Sequence, residues 1–177
     1  MGMDVYGLNP TTKAPPRPEH DDFDSEDWKA YFDGQNEAGQ YFRNNVWFWR
    51  PLWDYVSTAC SDYITEEDLE YGHSNSGHII GAEQCKAIAN ILATKLLDGS
   101  VKEYMVERQK ALDALPLDKC QHCEGTGERD DVHVQGTCNA CHGEGEVKNF
   151  NTSYPFTIEN VKEFQVFARN CGGFEIC

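Results

Sequence analysis

A chain of 177 residues is long enough for one compact domain with a small appendage. Thirty acidic residues against fifteen basic ones leave a formal charge of -15, which repels a phosphate backbone or an anionic membrane surface and allows at most a local basic pocket. No apolar run approaches the roughly 20 residues that span a bilayer, and the first residues lack both a secretory and a myristoylation pattern.

In chain order, "MDVYG" opens as a candidate terminal strand. Residues of about 9–40 turn to Pro, Gly, Asp and Glu and read as an exposed acidic insertion, extended around Pro15, Pro16 and Pro18. Within it Ser25, followed by Glu26 and Asp27, caps a short helix that runs through Phe32 and ends near Gly34. The run "EHDDFDSED" is a solvated face or, alternatively, a phosphate-mimicking surface.

Seven aromatics fall within residues 41–55. Pro51 suits a first helical turn, and Leu52, Tyr55, Val56, Ala59, Cys60 and Tyr63 then repeat at helical spacing. Two readings of this block stay open. Arg43, Asn44, Trp47, Trp49 and Arg50 could stack on and pair with a small anionic, nucleotide-like ligand, or the rings could simply be core.

Thr65 starts a further short helix and Gly72 stops it. The loop "HSNSGH" then feeds a helix that carries Ala82, Cys85, Ile88, Ala89, Leu92 and Leu96 on one side. His73, Asn75 and His78 could present an anion to that helix N-terminus, or form a hydrogen-bonding turn. Ser100 and Glu103 make a capping box for the next helix, which Pro116 ends. The last helix has Thr157 as N-cap, with Phe156 and Val161 as a staple, and stops at Gly172-Gly173. "FEIC" is a closing strand, a candidate partner for "MDVYG". Cys60, Cys85, Cys171 and Cys177 read as small hydrophobes.

Residues 120–147 carry the strongest signal. Two copies of C-x-x-C-x-G-x-G place Cys120, Cys123, Cys138 and Cys141 in a C-x2-C-x14-C-x2-C frame. Each C-x-x-C turn aims two sulfurs at one point, and two turns make the tetrahedron of a zinc site. The paired glycines allow the left-handed backbone that turns amide N–H groups toward sulfur. Disulfides or a redox pair would not need four matched glycines. Four thiolates fill zinc's shell, so the expectation is one structural Zn2+. His122, His133 and His142 are expected in solvent.

The repeated C-x-x-C-x-G-x-G resembles the cysteine-rich zinc domain of DnaJ-type co-chaperones, which implies a zinc-stabilised surface for protein contact. That family carries four copies where this chain has two, and no His-Pro-Asp of a J-domain is present. The blocks "MDVYG", "YFRNNVWFWRPLWDY" and "FARNCGGFEIC", with the cysteine segment, resemble a group of small uncharacterised proteins of bacteriophages and their bacterial hosts. That likeness implies work in a host cytoplasm, with interference in host defence as its context.

The expected fold is α+β: a mostly helical single domain of four main helices on an aromatic core, with short terminal strands and a zinc-binding β-hairpin insertion. Residues 1–119 and 148–177 form the helical core domain, and 120–147 the zinc-knuckle hairpin. No nucleophile–base pair, phosphate loop or paired carboxylates stands out. The expected function is a non-catalytic binding protein of a reducing cytoplasm, its partner a host protein or a small anionic ligand, with an enzyme as the third possibility.

Overall fold

A computed structural model describes residues 2–177, and the fold is α+β as the sequence suggests. The chain divides into two compact units, residues 1–105 with 155–177, and Val106–Tyr154.

The first unit is built on a four-stranded antiparallel sheet. Its strands are β1 (Gly2–Gly7), β2 (Tyr41–Asn45), β3 (His78–Ile80) and β8 (Phe174–Ile176), in the order β2-β1-β8-β3. The expected pairing of the two chain ends is present, with Val5 opposite Ile176 and Gly7 opposite Phe174. Alternation puts Met3, Val5, Phe42, Ile80, Phe174 and Ile176 on the buried face. Helices α2 (Val46–Ala59), α4 (Ala82–Leu97) and α6 (Ile158–Asn170) supply the rest of the core through Trp49, Leu52, Trp53, Val56, Ile88, Leu92, Val161 and Phe164. Helix α5 (Ser100–Asp113) begins in this unit, where Val101 is buried.

Several boundaries depart from the sequence expectation. Six α-helices stand among the described residues, the four main ones expected and the two short ones that the sequence marks at Ser25 and Thr65. The block after residue 40 first forms β2, paired with β1 from Tyr6–Tyr41 to Gly2–Asn45, and passes directly into α2. Asn45 caps that helix, accepting from the N–H groups of Trp47 and Phe48 at 3.0 and 3.1 Å. Pro51 therefore lies inside α2 and not in its first turn, so no bond can run from residue 51 to the Trp47 carbonyl. Strand β3 separates the polar loop from α4, so the loop does not lead straight into a helix N-terminus. Ser100 is already helical, and its hydroxyl donates to Asp98 Oδ1 at 2.5 Å instead of capping Glu103.

Other local signals hold as read. Ser25 caps α1 (Glu26–Gln35), Thr65 caps α3 (Glu66–Tyr71), and Thr157 caps α6. The acidic insertion is the long β1–β2 connection, exposed along residues 19–24. Trp28 is its one large buried side chain. Its ring is buried beside Phe23 and Phe32, with the Arg17 guanidinium 5.7 Å above it and its indole N–H on the His20 carbonyl at 2.8 Å.

The second unit contains the end of α5, four short strands and a 3-10 turn at Phe150–Ser153. Strand β4 (Asp118–Lys119) pairs with β7 (Glu146–Val147), and β5 (Glu128–Asp130) with β6 (Gln135–Thr137), all antiparallel. The four cysteines, buried together against Val147, make its core.

Candidate metal centre

Each half of the cysteine segment makes the same backbone turns. In the first, Gly125 N–H donates to the Cys120 carbonyl (3.2 Å) and Thr126 N–H to that of Cys123 (3.0 Å). Eighteen residues on, Gly143 N–H donates to Cys138 (3.2 Å) and Glu144 N–H to Cys141 (3.0 Å). The halves also exchange bonds, Cys120 N–H to the Gly145 carbonyl and Cys138 N–H to that of Gly127, both at 2.8 Å. The result is a clasp with local two-fold pseudosymmetry.

The glycines are required twice over. Gly127 and Gly145 have φ of +77° and +76°, and a Cβ on them would lie 2.3 and 2.4 Å from the carbonyl oxygens of Gly143 and Gly125. Because the backbone comes this close, Gly127 N–H reaches Cys123 Sγ at 3.3 Å and Gly145 N–H reaches Cys141 Sγ at 3.2 Å. Such N–H···S bonds favour thiolate over thiol and orient the sulfur lone pairs inward.

The sulfurs converge. Cys120 and Cys138 Sγ are 3.9 Å apart, Cys123 and Cys141 Sγ 3.7 Å, and all four lie within 4.8 Å of one another. A tetrahedron of sulfurs about 2.3 Å from a central ion has edges of about 3.8 Å, so the cage matches a bound ion in size. It does not match disulfides, and all eight cysteines are free. Burial pushes the Cys123 and Cys141 thiols up. At Cys123 the Gly127 N–H and the Cys120 and Cys141 sulfurs outweigh it and bring the thiol below its ordinary range, while Cys141 stays raised. Once an ion is bound, all four would be thiolates. His122, His133 and His142 are exposed, as expected of solvated loop residues.

The other sequence-selected residues all lie in the first unit. Trp49 is wholly buried and its indole N–H is engaged by the Gly72 carbonyl at 2.7 Å, so its ring is core and cannot form a surface platform. Trp47 is partly exposed and Arg50 exposed. Arg43, also exposed, places Nε 3.9 Å from Asp4. Asn44 donates to Asn160 Oδ1 at 2.7 Å. Asn75 donates to the Gly2 carbonyl at 2.8 Å, and Arg43 and Asn44 flank the same glycine, so these three are brought together. His73 and His78 are not aimed at a helix end: each faces a carboxylate, Asp54 at 3.0 Å and Asp68 at 2.8 Å.

Asp68 is the buried polar centre that the sequence reading passed over, seeing there only a helix start. One carboxylate oxygen accepts from Thr65 N–H (2.9 Å) and Gln84 Nε2 (2.8 Å), and the other meets His78 Nε2. The Thr-x-x-Asp spacing was a usable signal for its capping role.

In comparisons with known proteins, no family model, no curated protein and no solved structure matches this chain. Among the described residues no helix is long and apolar enough to cross a membrane.

Proposed function

We propose that this chain is a non-catalytic binding protein whose clasp holds one structural zinc ion on Cys120, Cys123, Cys138 and Cys141. One observation carries the reading: four sulfurs within 4.8 Å of one another, two of them receiving backbone N–H bonds, suit a closed tetrathiolate shell. Zinc suits an all-thiolate tetrahedron, and a shell of four protein ligands leaves no position for a substrate water. Binding it would contribute on the order of 10 kcal/mol to the fold of the surrounding segment. A structural ion beside exposed loops presents a surface and does no chemistry.

The partner in this proposal is a host protein, met as inhibitor or adaptor in a bacterial cytoplasm. Its support is the likeness of the terminal and aromatic blocks to small phage proteins, together with the protein-contacting role of the motif in DnaJ-type co-chaperones. A net charge of -15 favours a partner with a basic face over nucleic acid. The small-anion alternative retains Arg43, Asn44 and Asn75 around Gly2, without the Trp49 ring.

Native mass spectrometry tests the metal: one zinc per chain is expected, absent from Cys138→Ser. A chain that carries no zinc, or keeps it in that variant, ends the reading. Affinity capture from bacterial lysate by the zinc-loaded chain tests the rest, with the expectation that capture fails for Cys138→Ser. Equal capture by both would separate partner binding from the clasp.

A further inference from the structure

Within the acidic β1–β2 connection, four aromatic rings pack together. Ser25 caps α1, its hydroxyl accepting from Trp28 N–H at 3.4 Å, and the helix carries Trp28, Tyr31 and Phe32 at three- and four-residue spacing on one face. Phe23, just before the cap, closes on Trp28 with ring centroids 4.7 Å apart, and Phe32 stacks on the same indole at 5.4 Å. The platform is fixed in place. The Trp28 indole N–H donates to the His20 carbonyl at 2.8 Å, and a Cβ on Gly34 would lie 2.8 Å from Pro15 Cδ, so the end of α1 is pressed against the proline segment. Packing on Trp28 still leaves Phe23 60% and Phe32 51% exposed.

Six exposed carboxylates, those of Glu19, Asp21, Asp22, Asp24, Glu26 and Asp27, surround Phe23 in the sequence, and no lysine or arginine lies among residues 19–27. Of the six, only Asp27 enters an ion pair among the described residues, with His20 at 3.7 Å. They do not gather into a cation site, since the four clasp cysteines are the one group among the described residues arranged to hold a metal. Exposed rings at the centre and charges of one sign at the edge make the composition of a contact surface. The charge selects the occupant. A second copy, a nucleic acid or an anionic membrane would bring like charge against it. The chain meets the same rings with a cation of its own, the Arg17 guanidinium 5.7 Å over Trp28.

We propose that Phe23 and Phe32 anchor a docking surface for a basic segment of a partner protein, one in which arginines or lysines are interspersed with apolar side chains. The two rings cover the apolar side chains and stack with guanidinium groups, as Trp28 does with Arg17. The carboxylates pair at the rim, where they speed encounter and reject acidic partners more than they add affinity. Because Trp28 already holds the rings in place, docking costs little further ordering. This surface rests on the reading of the chain as a binding protein but not on its zinc, since it belongs to the first unit.

The test uses the full zinc-loaded chain, with a synthetic helical peptide of leucine and arginine as probe and a serine-for-leucine peptide of equal charge as control. Fluorescence anisotropy is expected to show the leucine peptide binding about tenfold more tightly than the control. Phe23→Ala and Phe32→Ala should each weaken that binding by about tenfold. Val132→Ala, at an exposed apolar residue of the second unit, should leave it unchanged. Asp22→Asn combined with Asp24→Asn should weaken it severalfold and flatten its dependence on salt. In hydrogen exchange, the bound peptide should protect residues 19–33. Cys138→Ser should bind the peptide as the natural chain does, so a missing zinc would end the metal reading and leave this one standing. The proposal is overturned if the two peptides bind equally, if either phenylalanine variant binds as the natural chain does, or if protection falls outside the insertion. A dimer that Phe23→Ala dissolves would show a second copy on the patch and overturn it as well. Should a variant lose its fold, the exchange map of the natural chain decides alone.

Discussion

At Asp68, a single carboxylate joins α3, β3 and α4. Burial works against its charge, but bonds from Thr65, His78 and Gln84 outweigh this and hold its carboxyl below the usual range. A depressed folded pKa means that the unfolded chain binds more protons than the folded one as pH falls. The stabilisation is therefore fully present above the unfolded value of about 3.9 and is lost as pH drops through the folded value. Asp68→Asn is expected to cost about 1–3 kcal/mol at pH 7 by urea denaturation, and the gap to the natural chain should narrow below pH 4. A gap independent of pH would show that the charge is not what stabilises the site. Sequence revealed half of this residue's role. Its bond to Thr65 spans three positions and has a local signature, whereas His78 and Gln84 are ten and sixteen positions away.

Helix α2 shows how an element is decided by its surroundings. Its core repeat from Leu52 to Cys60 was legible as periodicity, but its start was not, since Asn45 caps it only once β2 has paired with β1. "YFRNN" has one buried side chain, Phe42, and too little alternation to mark a strand by itself. The tryptophans of this helix offer a controlled comparison. Trp49 and Trp53 stack at 5.6 Å with rings 9° from parallel, and both are wholly buried. Only Trp49 has a hydrogen-bond partner for its indole N–H; that of Trp53 has none. Changing either to Phe removes similar volume, so the difference reports on the bond. Trp49→Phe should be the more destabilising by about 1–2 kcal/mol in chemical denaturation. Equal losses would mean that packing alone sets the value of these rings.

At the scale of the whole molecule, two cores of different kinds coexist. The first unit buries aromatic and aliphatic side chains between a sheet and helices, and the second has four cysteines and little else at its centre. A unit of that second kind offsets little of its chain entropy by apolar burial, and the proposed zinc would supply the missing cross-link. Removing the ion with a chelator should raise amide exchange across residues 118–147 by more than about a hundredfold, while Val56, Ile88 and Phe164 keep their protection. Uniform loss of protection would show that the clasp supports the entire fold.

By itself the sequence determined the four-cysteine cluster, the helix caps at Ser25, Thr65 and Thr157, and the strands that pair at the chain ends. The caps and each C-x-x-C turn depend on residues a few positions apart, so their physics is local, and the end strands were marked by their own short segments although their pairing joins Val5 to Ile176. The tertiary structure alone decided that Trp49 is core and that His73 and His78 face carboxylates. Those contacts join distant parts of the chain, and their free energy exists only after the sheet has set the register.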